Sequence, residues 1–255
     1  MCLEKTVFIK PEYFNVKIWR YIDFNKFIDI LERNSLYFTR SDKFDDPFEG
    51  ISQKVTKGER FRCFSDMYNR IDPERKDAIQ QSAKELDWKI REWTFINCWH
   101  MNEYESDAMW KLYFKSNVEI AIQSTFNKLC NSFSNVEEGI CISKVNYIDY
   151  ELDDLQNKRH ILSPFVYKRQ AFAHERELRA VMMKFPNHET VHDYNRKSFD
   201  CGVHVQVNLE ELIDTIYMAP TAPAWTVELV KLMLNKYELG HKKVLQSSLI
   251  EKTSF

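Results

Sequence analysis

The chain has 255 residues, 44% hydrophobic and 14% aromatic, enough to bury one sizeable core with a small helical insertion. Five Gly and seven Pro exclude a collagen-like or low-complexity chain, and no solenoid period is present. Lys plus Arg total 36 against 38 Asp plus Glu, so bulk charge gives no argument for a nucleic-acid partner, and the short, interrupted apolar runs exclude a membrane span.

The segment from Met1 to Lys5 lacks the apolar core of a secretory signal, which predicts a cytoplasmic protein. Six cysteines, at positions 2, 63, 98, 130, 141 and 201, form no C-x-x-C pair, so zinc and dithiol spacings are absent and reduced thiols are expected. His188 and His192 are the only i, i+4 histidine pair, and beside Pro186-Asn187 they read as loop rather than metal site.

In chain order, Val16 to Ile22 alternates as a strand, Asp23 caps a helix from Phe24 to about Arg33, Asn34 ends it, and Leu36 to Thr39 forms a second strand. This β-α-β unit runs into Phe44-Asp45-Asp46-Pro47-Phe48-Glu49-Gly50, a turn specified by proline, capping carboxylates and a glycine free to take positive φ. Residues from about Val55 to Lys89 are polar and helical in pattern, with a stripe of Phe61, Phe64, Met67 and Tyr68. Lys54, Lys57, Arg60 and Arg62 in this stretch read as a solvated helix face or, alternatively, a phosphate-binding groove.

Trp93 to Trp99 reads as a buried strand and Glu105 to Phe114 as a short helix. Val118 to Ile122 is a strand, Thr125 to Cys130 a helix, and Ile140 to Tyr147 another strand. Pro164 to Ala173 suggests a helix leading into a strand from Glu175 to Met183. Strands at His204–Val207 and Thr215–Met218, a helix at Thr226–Tyr237 and a strand at Lys243–Ile250 complete the chain. The expected fold is α+β with a mainly antiparallel sheet: one domain over 1–255, with a helical insertion at about 55–90. No glycine-rich Rossmann or P-loop motif is present.

Three islands offer chemistry: Trp19-Arg20-Tyr21, Asn97-Cys98-Trp99-His100 and His174-Glu175-Arg176-Glu177-Leu178-Arg179. On an extended segment Glu175 and Glu177 project to one face, where like charge raises one pKa and suits it to acid/base work. The competing reading is ion pairing with Arg176 or Arg179. Cys98 is a nucleophile candidate near His100 in sequence, against the commoner role of a core thiol.

At these islands the chain resembles a functionally uncharacterised bacterial domain family. The resemblance rests on Arg20-Tyr21, on Phe44 to Glu49 as F-x-(N/D)-D-P-F-E, on Met109-Trp110-Lys111-Leu112-Tyr113, and on Glu175 to Arg179 as E-x-E-x-R. More distantly, the β-α-β order with a basic first strand, a polar middle strand and E-x-E on a later strand is similar to the arginine-serine-glutamate class of ADP-ribosyltransferases. That resemblance implies the fold of that class. It also implies NAD as substrate, with Arg20 on its diphosphate, Glu177 driving glycosidic cleavage and Glu175 activating the acceptor.

In place of the serine-led motif of that class, the middle strand offers Asn97 and His100 as hydrogen-bonding groups. Tyr21, Trp99 or Trp110 would stack on a base or on nicotinamide, Phe44 or Phe48 would wall the pocket, and Asp45, Asp46 or Glu49 would meet ribose hydroxyls or the acceptor. The implied activity is ADP-ribosyl transfer to a protein or nucleic acid, or NAD hydrolysis, in a bacterial toxin or phage-defence effector with no membrane partner. Two further readings stay open: a metal-dependent nuclease using Asp45, Asp46, Glu49, Glu175 and Glu177, and a non-catalytic ligand-binding or interaction domain.

Overall fold

A computed structural model describes residues 7–51, 72–113, 119–137, 139–150, 160–185 and 200–249. Strand β1 (Lys17–Asp23) buries Ile18 and Ile22 on one face, and Trp19 and Tyr21 on the other. Helix α1 (Phe24–Arg33) follows without a loop, because the Asp23 side chain accepts from the Lys26 N–H at 3.0 Å. Asn34 closes the helix in the left-handed region at φ 48° and donates its N–H to the Ile30 carbonyl. Phe27, Ile30 and Leu31 form the buried stripe of α1. Strand β2 (Ser35–Arg40) then returns, giving the expected β-α-β opening.

Helix α2 (Pro73–Trp93) leads into β3 (Thr94–Met101), α3 (Asp107–Tyr113), β4 (Glu119–Thr125) and α4 (Phe126–Ser132). Next come β5 (Cys141–Lys144), β6 (Asn146–Ile148), β7 (Tyr167–Arg169), β8 (Glu177–Met183) and β9 (Gly202–Gln206). The chain finishes with α5 (Leu209–Leu212), β10 (Thr215–Met218), α6 (Ala224–Lys236) and β11 (Lys243–Gln246). Among the described residues the main sheet has nine strands, in the path β11-β10-β4-β1-β3-β2-β9, with β8 beside β3 and β5 beyond β8. Every pairing in it is antiparallel except β10 with β11, so the fold is α+β with a mainly antiparallel sheet.

Strand β3 is the pivot. One flank pairs with β8 from Thr94 to His100. On the other flank, its C-terminal end pairs with β1 (Trp19 with His100, Ile18 with Met101), while its N-terminal end pairs with β2 (Arg40 with Phe95, Thr39 with Ile96). Between these two short ladders the sheet splits, and side chains take over the backbone groups that the split strips of partners. Arg20 donates Nη1 to the Cys98 carbonyl at 2.6 Å, and Asn97 donates Nδ2 to the Tyr37 carbonyl at 2.9 Å.

The main core lies on the α1 face, where Phe95 and Trp99 of β3 and Leu178, Ala180 and Met182 of β8 meet α1, α4 and α6. Ile96 and Val181 lie on the opposite face in a second cluster with Phe165, Val166 and Tyr167.

Three expectations are corrected. The helix read at Pro164 to Ala173 is a 3-10 turn (Ser163–Val166), then β7, then a second 3-10 turn (Gln170–Glu175), because Lys168 and Arg169 are drawn out to distant carboxylates. Glu175 consequently ends that turn instead of starting a strand, and Arg176 takes the left-handed region at φ 43° before β8 begins. The single strand read at Ile140 to Tyr147 divides at Val145, with β5 on β8 and β6 in a separate parallel pair with β7.

The expected insertion is described only in its last part, as α2. The stripe Phe61, Phe64, Met67 and Tyr68, the basic set Lys54, Lys57, Arg60 and Arg62, and the pair His188 and His192 lie outside the described residues. No helix among the described residues is long and apolar enough to cross a membrane.

Replacing Asp23 by Ala removes the N-cap acceptor and is expected to cost about 0.5–2 kcal/mol, a melting-point drop of a few degrees by calorimetry, while Asp23→Asn retains most of the cap.

Candidate functional site

The split opens into a cleft of about 320 Å³ bounded by β1, β3, α1, α3 and the turn that precedes β8. Arg20, Tyr21, His100, Tyr113, Glu175 and Glu177 are on its wall, with Phe44 at its far side. Arg20 makes no ion pair among the described residues. Its Nη1 bridges to β3, its Nε is buried without a hydrogen-bond partner, and burial lowers its pKa. The Tyr21 and Tyr113 rings run nearly parallel, 16° apart with centroids at 6.4 Å, and the Tyr21 hydroxyl accepts from the Ser106 N–H at 2.9 Å.

Behind the carboxylate wall is a buried ion cluster. Arg179, fully buried on β8, donates Nη1 and Nη2 to the two oxygens of Glu49 at 2.5 and 3.0 Å, and Nε to Glu177 at 2.6 Å. Lys168 of β7 pairs with the other Glu177 oxygen at 3.1 Å and also with Glu175. Burial pushes the Glu177 carboxyl upward, but Arg179, a hydrogen bond from Glu175 and Lys168 outweigh it and hold the group down at about 2. Glu175 is raised to about 7, first by burial and then by sharing that hydrogen bond and facing the Glu177 charge, with Lys168 opposing. The two glutamates thus form one dyad, with an ionised member and a member that exchanges its proton near neutral pH.

The acidic turn supplies the third arm of this cluster. Asp46 caps it by accepting from the Phe48 N–H at 3.0 Å, and Glu49 donates its N–H to the Asp46 carbonyl at 2.9 Å. Gly50 has φ 68°, and a Cβ there would meet the Phe165 ring at 2.3 Å, so both backbone and space require glycine. Asp46 pairs with Arg169 at 2.9 Å, while Phe48 packs on Tyr150 and under the Arg169 guanidinium. Burial raises the Glu49 carboxyl against the opposing pull of Arg179.

The structure therefore separates the residues expected to form one pocket. Arg20, Tyr21, Phe44, His100, Glu175 and Glu177 meet at the cleft, as does Tyr113, which no role was assigned from sequence. Asp46 and Glu49 do not face it. Their oxygens are turned to Arg169 and Arg179, which clamps the acidic turn against β7 and β8.

Asn97 is buried in the main core, where Nδ2 holds the Tyr37 carbonyl and Oδ1 accepts from the Trp99 indole at 2.8 Å, and it is not on the cleft wall. Trp110 is buried edge-on against Tyr21 with its indole N–H on Glu105 at 3.1 Å, so it supports the wall from behind. Arg179 is the ion-pair partner of Glu177, whereas Arg176 turns away to Asn102. Cys98 is a free, part-buried thiol that also lines the cleft, and burial pushes its pKa up to about 12, away from the thiolate form at neutral pH.

The oxygen-ligand cation reading gains no support from the same geometry. Asp46, Glu49, Glu175 and Glu177 present their oxygens to arginine and lysine nitrogens, and among the described residues no group of three His, Cys, Asp or Glu side chains is placed to hold a metal ion. Lys168 was missed in sequence because a three-residue strand between two 3-10 turns has too few residues for a period to register. Tyr113 carried a signal, since it ends the Met109-Trp110-Lys111-Leu112-Tyr113 segment. Searches for similarity leave the geometry to stand alone, since no protein-family model matches the chain and neither does any curated protein.

Arg179→Met leaves Glu49 and Glu177 buried without their counterion and is expected to cost about 3–5 kcal/mol in urea unfolding, part of which Glu49→Gln restores when added. The dyad also predicts a pH dependence of stability. The folded value of Glu175 lies above its ordinary 4.5, so its contribution favours the fold at low pH and is lost as pH rises through about 7. Glu177 is the reverse, contributing above 4.5 and losing that contribution as pH falls towards about 2. Between pH 4.5 and about 7 the wild type should thus lose stability relative to Glu175→Gln, measured as unfolding free energy across that range.

Proposed function

We propose that the protein cleaves the N-glycosidic bond of NAD, as an ADP-ribosyltransferase or NAD glycohydrolase on a sheet of the ADP-ribosyltransferase kind. One observation carries this reading. The basic strand β1, the polar strand β3 and the glutamate strand β8 lie side by side, and their Arg20 and Glu175–Glu177 dyad line one cleft. A cation without a carboxylate partner at one end and a fixed anion at the other suit a ligand that carries phosphate and develops positive charge during reaction. The cleft volume lies at the lower end of ligand sites, roughly 300–1,000 Å³, and fits the nicotinamide riboside half of the dinucleotide. Lys26, also on its wall, adds a second cation for the diphosphate.

The chemistry divides between the two glutamates. As the bond from the ribose C1′ to the nicotinamide nitrogen breaks, nicotinamide leaves as a neutral ring with the bonding electrons and the ribose becomes oxocarbenium-like. Glu177, kept ionised by Arg179 and Lys168, faces that charge. An acceptor oxygen then bonds to C1′ and passes its proton to Glu175, which titrates in the range a general base needs. The Tyr21 and Tyr113 rings supply an aromatic surface for the nicotinamide. The acceptor is water, a protein side chain or a nucleic-acid group, and either NAD loss or modification of a macromolecule suits a bacterial toxin or phage-defence effector.

The test is nicotinamide release from NAD by purified protein, with and without cell lysate as acceptor source. Glu175→Gln should lower turnover by about 10²–10⁴-fold and abolish a rise in rate through pH 7. Arg20→Gln should raise KM about 10–100-fold, the equivalent of one charge-assisted contact. Wild-type protein that releases no nicotinamide but is stabilised by NAD would be a non-catalytic NAD-binding domain. Protein indifferent to NAD in both assays would sink the reading.

A further inference from the structure

His100 lines the cleft beside the glutamate dyad, yet it is only 4% exposed and faces Glu177 across the β3–β8 ladder. Its Nδ1 is 2.6 Å from the Glu175 carbonyl oxygen. A carbonyl oxygen only accepts, so Nδ1 carries the proton, and in the neutral ring Nε2 is left as a bare acceptor. Burial holds the ring neutral by lowering its pKa, and the nearby charge of Arg176 acts in the same direction.

Nε2 is buried and has no hydrogen-bond partner among the described residues. A buried acceptor without a partner is destabilising, and this one belongs to a residue on the cleft wall beside the glutamate dyad. The two neighbouring strands thus offer the cleft complementary orphans: a donor, Arg20 Nε, on β1 and an acceptor, His100 Nε2, on β3.

We propose that His100 is a specificity-determining residue of the cleft, its Nε2 accepting a hydrogen bond from an N–H or O–H donor that the substrate carries beside the scissile bond. This rests on the NAD reading for the identity of the substrate. Two groups of NAD have that chemistry next to the glycosidic bond, the 2′-hydroxyl of the nicotinamide ribose and the carboxamide N–H. A substrate without the donor leaves the acceptor unsatisfied and is discriminated against, the more strongly because the acceptor is buried. From sequence His100 is a hydrogen-bonding candidate on the middle strand, with neither the atom nor the direction of the bond fixed. Its acceptor character comes from the turn that brings the Glu175 carbonyl to Nδ1.

The experiment measures dissociation constants by calorimetry in the Glu175→Gln background, which keeps the Glu175 carbonyl and slows turnover. His100→Asn keeps a donor for that carbonyl while removing the ε acceptor, and should weaken NAD binding at least tenfold. His100→Gln, which returns an acceptor at the ε position, should recover part of the loss.

Two probes identify the donor: 3-acetylpyridine adenine dinucleotide, which lacks the amide N–H, and NAD lacking the 2′-hydroxyl of the nicotinamide ribose. The parent protein should bind one of them at least tenfold more weakly than NAD, and His100→Asn should bind that analogue and NAD alike. Undiminished NAD binding by His100→Asn, or unchanged discrimination between analogue and NAD, would overturn the proposal. Long-range proton–nitrogen NMR of the free protein supplies a readout independent of NAD. An unprotonated Nε2 with a protonated Nδ1 supports the assignment even if NAD proves not to bind, in which case only the NAD reading fails, whereas a protonated Nε2 overturns it.

Discussion

The guanidinium of Arg179 is the interaction on which the site depends. It is fully buried, holds Glu49 with two nitrogens and Glu177 with a third, and donates to the Phe165 carbonyl at 2.8 Å. Without Glu175 the cluster is electrically balanced, with Arg179 and Lys168 against Glu49 and Glu177. A fifth charge in the same low-dielectric space has no counterion of its own. Ionising Glu175 is therefore uphill, while Glu177, formally identical and two residues away, is ionised throughout the neutral range. The division of labour between the two glutamates is a product of charge counting inside a closed volume.

The second constraint is geometric. A strand flank has room for one neighbour at a time, and β3 gives one end of the same flank to β1 and the other end to β2. The gap between the two ladders opens a cleft in what would otherwise be continuous sheet, and it places Arg20 where a polar backbone atom needs a donor. The cleft is a consequence of pairing topology, and the catalytic candidates line it because the E-x-E segment enters β8 at the same end.

Much of the fold was legible in the sequence, and for local reasons. Asp23 and Asn34 bracket α1 through capping chemistry contained within a few residues, and the near-continuous burial of β3 and β4 reflects cover on both faces. The region from Pro164 to Glu177 was not legible, because its conformation is dictated by Asp46 and the dyad, which draw Arg169 and Lys168 out of a helix-like pattern.

At the site, Arg20 and Glu177 were singled out through the resemblance to the arginine-serine-glutamate transferases. Asp46, Glu49, Asn97 and Trp110 were drawn into the pocket on composition alone, since an acidic, amide or aromatic side chain looks the same in sequence whether it is turned to a ligand or to a neighbour. What separates the two outcomes is the hydrogen-bond inventory of each atom, which only three-dimensional neighbours determine.

The acidic turn also has a temporal meaning. Its backbone geometry is complete within Phe44 to Gly50, but the guanidinium that neutralises Glu49 arrives 130 residues later in the chain. Closing so long a loop is slow compared with forming the turn. During synthesis the turn therefore emerges with its carboxylates hydrated, and its burial waits on β8. The electrostatics of the cleft are consequently switched on only when β8 docks: before that step the chain has the acidic motif but not the ion cluster that holds Glu177 ionised.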